Sequence, residues 1–102
     1  MKYQLVLQFE ASKTDDYDQL VLLEDECIER LQIVAIVDGH DFGAGEFNIF
    51  LRTDDPCAAF REAQGVVTNR GLQNVMRAAY RELAAEDYVI LWPPSLTEFT
   101  VV

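Results

Sequence analysis

Two short stretches constrain this chain more than anything else in it. Tyr3, Leu5, Leu7 and Phe9 alternate with Gln4, Val6 and Gln8, and Phe47, Ile49 and Leu51 alternate with Asn48, Phe50 and Arg52. Period-two alternation belongs to a half-buried strand, because successive side chains point to opposite faces. Each stretch therefore owns one apolar face, and water drives that face against a covering layer. The covering layer is written elsewhere in the chain. Tyr17, Leu20, Leu23, Cys27 and Leu31 recur at helical spacing, with acids between them on a solvated face. Polar residues from Ser12 to Asp16 supply its N-cap candidates. Thr53-Asp54-Asp55-Pro56 reads as a second helix start, with Asp at the cap and Pro at the first helical position. Ala59, Phe60, Ala63, Val66 and Val67 form its apolar face, and Gly65 weakens it. Strands with one apolar face and amphipathic helices define an α+β fold, with helices on one face of an antiparallel sheet.

The remaining segments complete an expected order. Ile33 to Val37 is an apolar run that predicts a strand buried on both faces. Residues 38–46, DGHDFGAGE, predict a long, Gly-rich loop joining that strand to the next. Asn69 to Gly71 predicts a turn, and Leu72, Val75, Met76, Ala79, Tyr80 and Leu83 then follow helical spacing. Tyr88 to Trp92 predicts a strand stopped by Pro93-Pro94, and residues 97–102, TEFTVV, a short extra edge strand. The order is βαββααβ, which without the extra helix and tail is the ferredoxin-like plan. A chain of 102 residues fits one domain, residues 1–102. It is long enough to bury a core without metal or disulfides.

Charge narrows the partners. The chain carries 18 acids against 8 bases, a formal net charge of −10. Residues 1–46 hold 11 of the acids and 3 of the bases. Such a field repels nucleic acid and anionic membranes and attracts a basic partner. No apolar run reaches membrane-spanning length, and the N-terminus lacks the apolar core of a secretion signal. The expectation is a cytoplasmic protein without cofactor, nucleic-acid partner or membrane partner. Cys27 lies on the first helix's apolar stripe and reads as core, while Cys57 follows Pro56 at a helix start, where the dipole favours a thiolate.

The 38–46 segment is the candidate ligand loop. Asp38, His40, Asp41 and Glu46 offer coordinating or hydrogen-bonding groups, and Gly43 and Gly45 let the backbone bend or approach a ligand. The spacing matches no EF-hand, and its GxG opens no helix, so it is not a phosphate-binding signature. Asp and His side chains bonding their own backbone would give the same composition. Catalysis by His40 would need Ser12, Thr53, Cys27 or Cys57 within reach, and spacing alone brings none of them there. The candidate interface is the sheet face turned away from the helices. It presents Val6, Asn48, Phe50 and Arg52 beside Gln4 and Gln8, a half-apolar patch suited to a homodimer or a protein partner.

The stretch VDGHDFGAGEFNIFLRTDDP, residues 37–56, resembles a motif of small uncharacterised bacterial ferredoxin-like proteins. LEDECIERL and AAYRELAAEDYVILWPP are similar to the same group. The resemblance implies a fold and carries no activity. In size and charge the chain also resembles immunity proteins that neutralise bacterial toxins. These readings converge on a non-catalytic interaction or regulatory module, immunity-like in one form, that binds through the open sheet face or the acidic first helix. The alternative is a small-molecule or metal-binding domain using the 38–46 loop, and an enzyme of unknown type comes third.

Overall fold

A computed structural model describes residues 1–11 and 14–101. Ser12 and Lys13 of the expected cap segment, and Val102 of the expected tail strand, lie outside the described residues. The strands are β1 (Tyr3–Glu10), β2 (Ile36–Gly43), β3 (Glu46–Thr53), β4 (Met76–Glu82) and β5 (Val89–Trp92). The helices are α1 (Thr14–Arg30) and α2 (Pro56–Asn69). The strands form one five-stranded antiparallel sheet in the order β2-β3-β1-β4-β5.

The helix-covered core follows from the alternation. Leu5, Leu7 and Phe9 of β1 and Phe47, Ile49 and Leu51 of β3 are buried in one cluster with Leu20, Leu23, Cys27 and Leu31 of α1. Ala59, Phe60, Ala63, Val66 and Val67 of α2 close the same cluster. Each large aliphatic residue removed from water there contributes roughly 1.5–3 kcal/mol. At the start of α2 the Asp55 carboxylate accepts from the Ala58 N–H at 3.1 Å, and Pro56 sits in the first turn. The helix continues through Gly65 and turns out near Gly71.

Several expectations are corrected. The segment from Leu72 to Leu83 is not a third helix. After one 3-10 turn at Gln73–Val75 it becomes β4, paired to β1 from Tyr3↔Glu82 to Phe9↔Met76. Met76 and Ala78 face the helices, whereas Ala79 is fully buried on the opposite side. A strand buried on both faces loses its polar alternation, and its apolar residues then imitate helical spacing. The strand at Val89–Trp92 consequently becomes the outer edge beside β4. Residues 97–101 form no strand and cross the sheet instead.

The second correction concerns Ile33 to Val37. Ile33 is 99% exposed in a turn, and β2 starts only at Ile36, which is 56% exposed. The third concerns residues 38–46, which are not a loop. β2 runs to Gly43, β3 begins at Glu46, and Ala44 and Gly45 alone make the turn, with φ of 54° and 75°. Two successive positive φ values give a type I′ hairpin, whose twist matches that of the strands. A bulge between Val37 and Gly39 interrupts the register, with Gly39 at φ 124°. It returns His40 and Phe42 to the helix side of the sheet, opposite Ile49 and Phe47.

Candidate functional site

The sheet's second face is covered. Val6, Gln8, Asn48 and Ala79 are all buried. Gln8 Nε2 donates to the Thr100 carbonyl at 2.8 Å, which places the C-terminal segment over β1. Tyr88 and Phe99 hold that segment at a ring separation of 5.0 Å. The face expected to be open is therefore occupied by the chain's own tail along its middle. Of the candidate interface residues, Val6 and Asn48 are buried, Phe50 is half-buried and Arg52 is exposed. Beneath the tail lies a polar row that follows the strand register. Gln8 Nε2 also donates to Asn48 Oδ1 at 3.0 Å, and Asn48 Nδ2 donates to Asp41 Oδ1 at 2.9 Å. Buried amides demand such partners, because an unmade bond costs about 1–3 kcal/mol.

The former loop residues divide among different partners. Arg52 donates to Asp38 at 3.2 Å, Asn48 to Asp41, and Arg77 to Glu46 at 3.3 Å. Among the described residues no three His, Cys, Asp or Glu come together as metal ligands would. A Cβ added at Gly39, Gly43 or Gly45 would meet no other atom within 4 Å. Gly39 therefore serves the bulge and Gly45 the hairpin turn, and none of the three makes a close backbone approach.

His40 is held most firmly. Its Nδ1 lies 2.8 Å from Glu24 Oε1 on α1, and its ring stacks on Phe47 at 4.6 Å and 17°. Tyr17 meets His40, Phe42 and Phe47 edge-on. A neutral His40 donating from Nδ1 carries its lone pair on Nε2. The second Glu24 oxygen, Oε2, is buried with no hydrogen-bond partner among the described residues. Glu24 escaped the sequence reading because it passes for one more acid of a solvated face. The signal was present: Leu20, Glu24, Cys27 and Leu31 are spaced four, three and four, which puts Glu24 on the buried stripe.

Among the described residues, none of the expected partners completes a nucleophilic pair with His40. Burial pushes the Cys27 thiol up to about 12, so it stays protonated. The Thr53 hydroxyl donates to the Val34 carbonyl and accepts from the Asp55 N–H. Cys57 is exposed on α2, and Ser12 lies outside the described residues. The geometry is that of a tie between α1 and the edge strand β2.

The flank built by α1, the following turn and β2 carries a second feature. Of eight large apolar side chains exposed among the described residues, Ile28, Ile33, Ile36 and Phe42 lie here, while Leu22 lines a hollow with Arg70 on the side of α1 toward α2. Residues 14–43 also hold nine acids and a single base, Arg30. Asp18, Asp25, Glu29, Asp38 and Asp41 are exposed among them. Ile28, Gln32, Ala35, Ile36 and Val37 line a shallow groove of about 270 Å³. That is below the roughly 300–1,000 Å³ of small-molecule sites. Glu26 is engaged otherwise, since it accepts from Arg70 and pairs with Arg30. The Arg70 hydrogen bond holds its carboxyl below the usual carboxylate range.

No protein-family model matches this chain, and neither a curated protein nor a solved structure matches it. No described helix is long and apolar enough to cross a membrane.

Proposed function

We propose that this protein is a non-catalytic interaction module that docks a basic protein partner on its α1–β2 flank. One observation carries the reading. Four of the eight large apolar side chains exposed among the described residues, Ile28, Ile33, Ile36 and Phe42, share this flank, and the sequence from 14 to 43 that builds it carries nine acids and one base. Exposed apolar side chains grouped on one side are the usual mark of a partner surface. Surrounding charge of one sign steers a complementary partner to it. The second sheet face already holds the C-terminal segment along its middle, whereas the apolar side chains of the flank are exposed. An immunity-type role against a basic toxin is one specific form. The sheet order β2-β3-β1-β4 supports a ferredoxin-like plan with β5 added at one edge.

The test is capture of partners from the source cells at low and high salt, followed by two matched charge reversals. Asp38→Lys alters the flank at β2, and Glu62→Lys makes the same kind of change on α2, where Glu62 is exposed. The reading expects a stoichiometric basic partner that is released by salt, lost with Asp38→Lys and kept with Glu62→Lys. Equal loss with both variants would reduce the effect to net charge, and retention with both would remove the flank from the interface.

A further inference from the structure

The two edges of the sheet are treated differently. β5 has four residues and stops at Pro93-Pro94. β2 has eight, and it pairs with β3 alone. Among the described residues, no backbone bond outside the sheet reaches any residue from 36 to 43. The outer peptide groups of β2 therefore have no backbone partner among the described residues. An edge of this length is a template for another strand unless something forbids pairing. Charge disfavours a second copy here: Asp38, paired with Arg52, and Asp41, which accepts from the neutral Asn48, are exposed on β2, and a copy would bring the same acids near them. The same acids favour a basic strand. The groove lined by Ile28, Ala35 and Ile36 sits where β2 begins, ready for one apolar side chain of such a strand.

We infer that β2 is a strand-addition site for an extended, Lys- or Arg-bearing segment of a partner protein. The segment lies along the outer edge of β2, with its basic side chains toward Asp38 and Asp41 and an aliphatic one in the Ile28–Ile36 groove. Main-chain hydrogen bonds supply affinity in this mode, and alternate side chains supply selectivity. This inference rests on the flank reading and adds to it the conformation of the partner.

The experiment titrates the isotope-labelled full chain with three seven-residue peptides. The first alternates Lys with Val or Ile, the second is its copy N-methylated at alternate residues, and the third replaces each Lys with Glu. The first peptide is expected to slow exchange of alternate amides within 36–43. An amide gaining one backbone hydrogen bond should slow by up to about tenfold, the worth of such a bond. The N-methylated and acidic copies should leave that exchange unchanged. If both basic peptides bind equally and leave β2 exchange unchanged, strand addition is overturned while charge-steered docking stands. If no basic peptide binds at all, both readings fall.

Discussion

The two faces of this sheet are both closed, but by different means. The helix side is filled by alternating aliphatic and aromatic residues of β1 and β3 against α1 and α2. The tail side buries Val6 and Ala79 beside two amides, Gln8 and Asn48, under a segment without regular structure. Apolar packing is non-directional and tolerates modest shape changes. A buried polar row is directional, and it fails when one member is removed. The first face therefore supplies stability in bulk, and the second ties a particular strand register to a particular tail position.

The largest effect should come from breaking the helix side. Leu7→Ala removes a fully buried side chain between both helices and the sheet. The expected loss is about 2–5 kcal/mol, read as a lower denaturation midpoint at unchanged slope. Removing residues 97–102 should leave that loss the same, since residues 97–101 cross the other face. A loss that shrinks in the shortened chain would show that the two faces are not independent.

A smaller effect sharpens the other side of the comparison. Asn48→Ala leaves Gln8 with one buried donor direction unmet and Asp41 without its amide. The expected loss is about 1–3 kcal/mol in the full chain. In the chain shortened by residues 97–102, water reaches the amides and the cost of Asn48→Ala should fall toward zero. Equal costs in both backgrounds, measured by denaturant unfolding, would mean that the tail does not seal the row.

The same contrast explains what the sequence revealed. β1, β3, α1 and α2 were legible because each buries one face and exposes another, which preserves its period. β4 was not, because Ala79 is buried on the face that alternation would leave exposed. β2 was not, because the bulge at Asp38 shifts the period and its glycines imitate a loop. The position of residues 93–101 depends on a side chain 92 residues away in sequence, Gln8, and no local pattern encodes that. At the candidate site His40 was legible as the only histidine, whereas its partner Glu24 was hidden among the many acids of α1.

The smallest predicted effect lies on the surface that joins the two helices, outside both faces. Glu26 accepts from Arg70 at the end of α2 and pairs with Arg30 one turn along α1. The Arg70 hydrogen bond is the main reason its carboxyl titrates below the usual range. A carboxyl depressed in the folded state adds stability above its unfolded value, and that stability is lost as pH falls through the folded one. Glu26→Gln keeps an acceptor for Arg70 but removes the charge. The variant should melt slightly below the parent at pH 7, with the gap closing as pH falls through and below the normal carboxylate range of about 4. Solvent screening keeps the gap small, and added salt should narrow it further at pH 7. A gap that persists unchanged at pH 2–3 would assign the effect to packing of the side chain rather than to its charge.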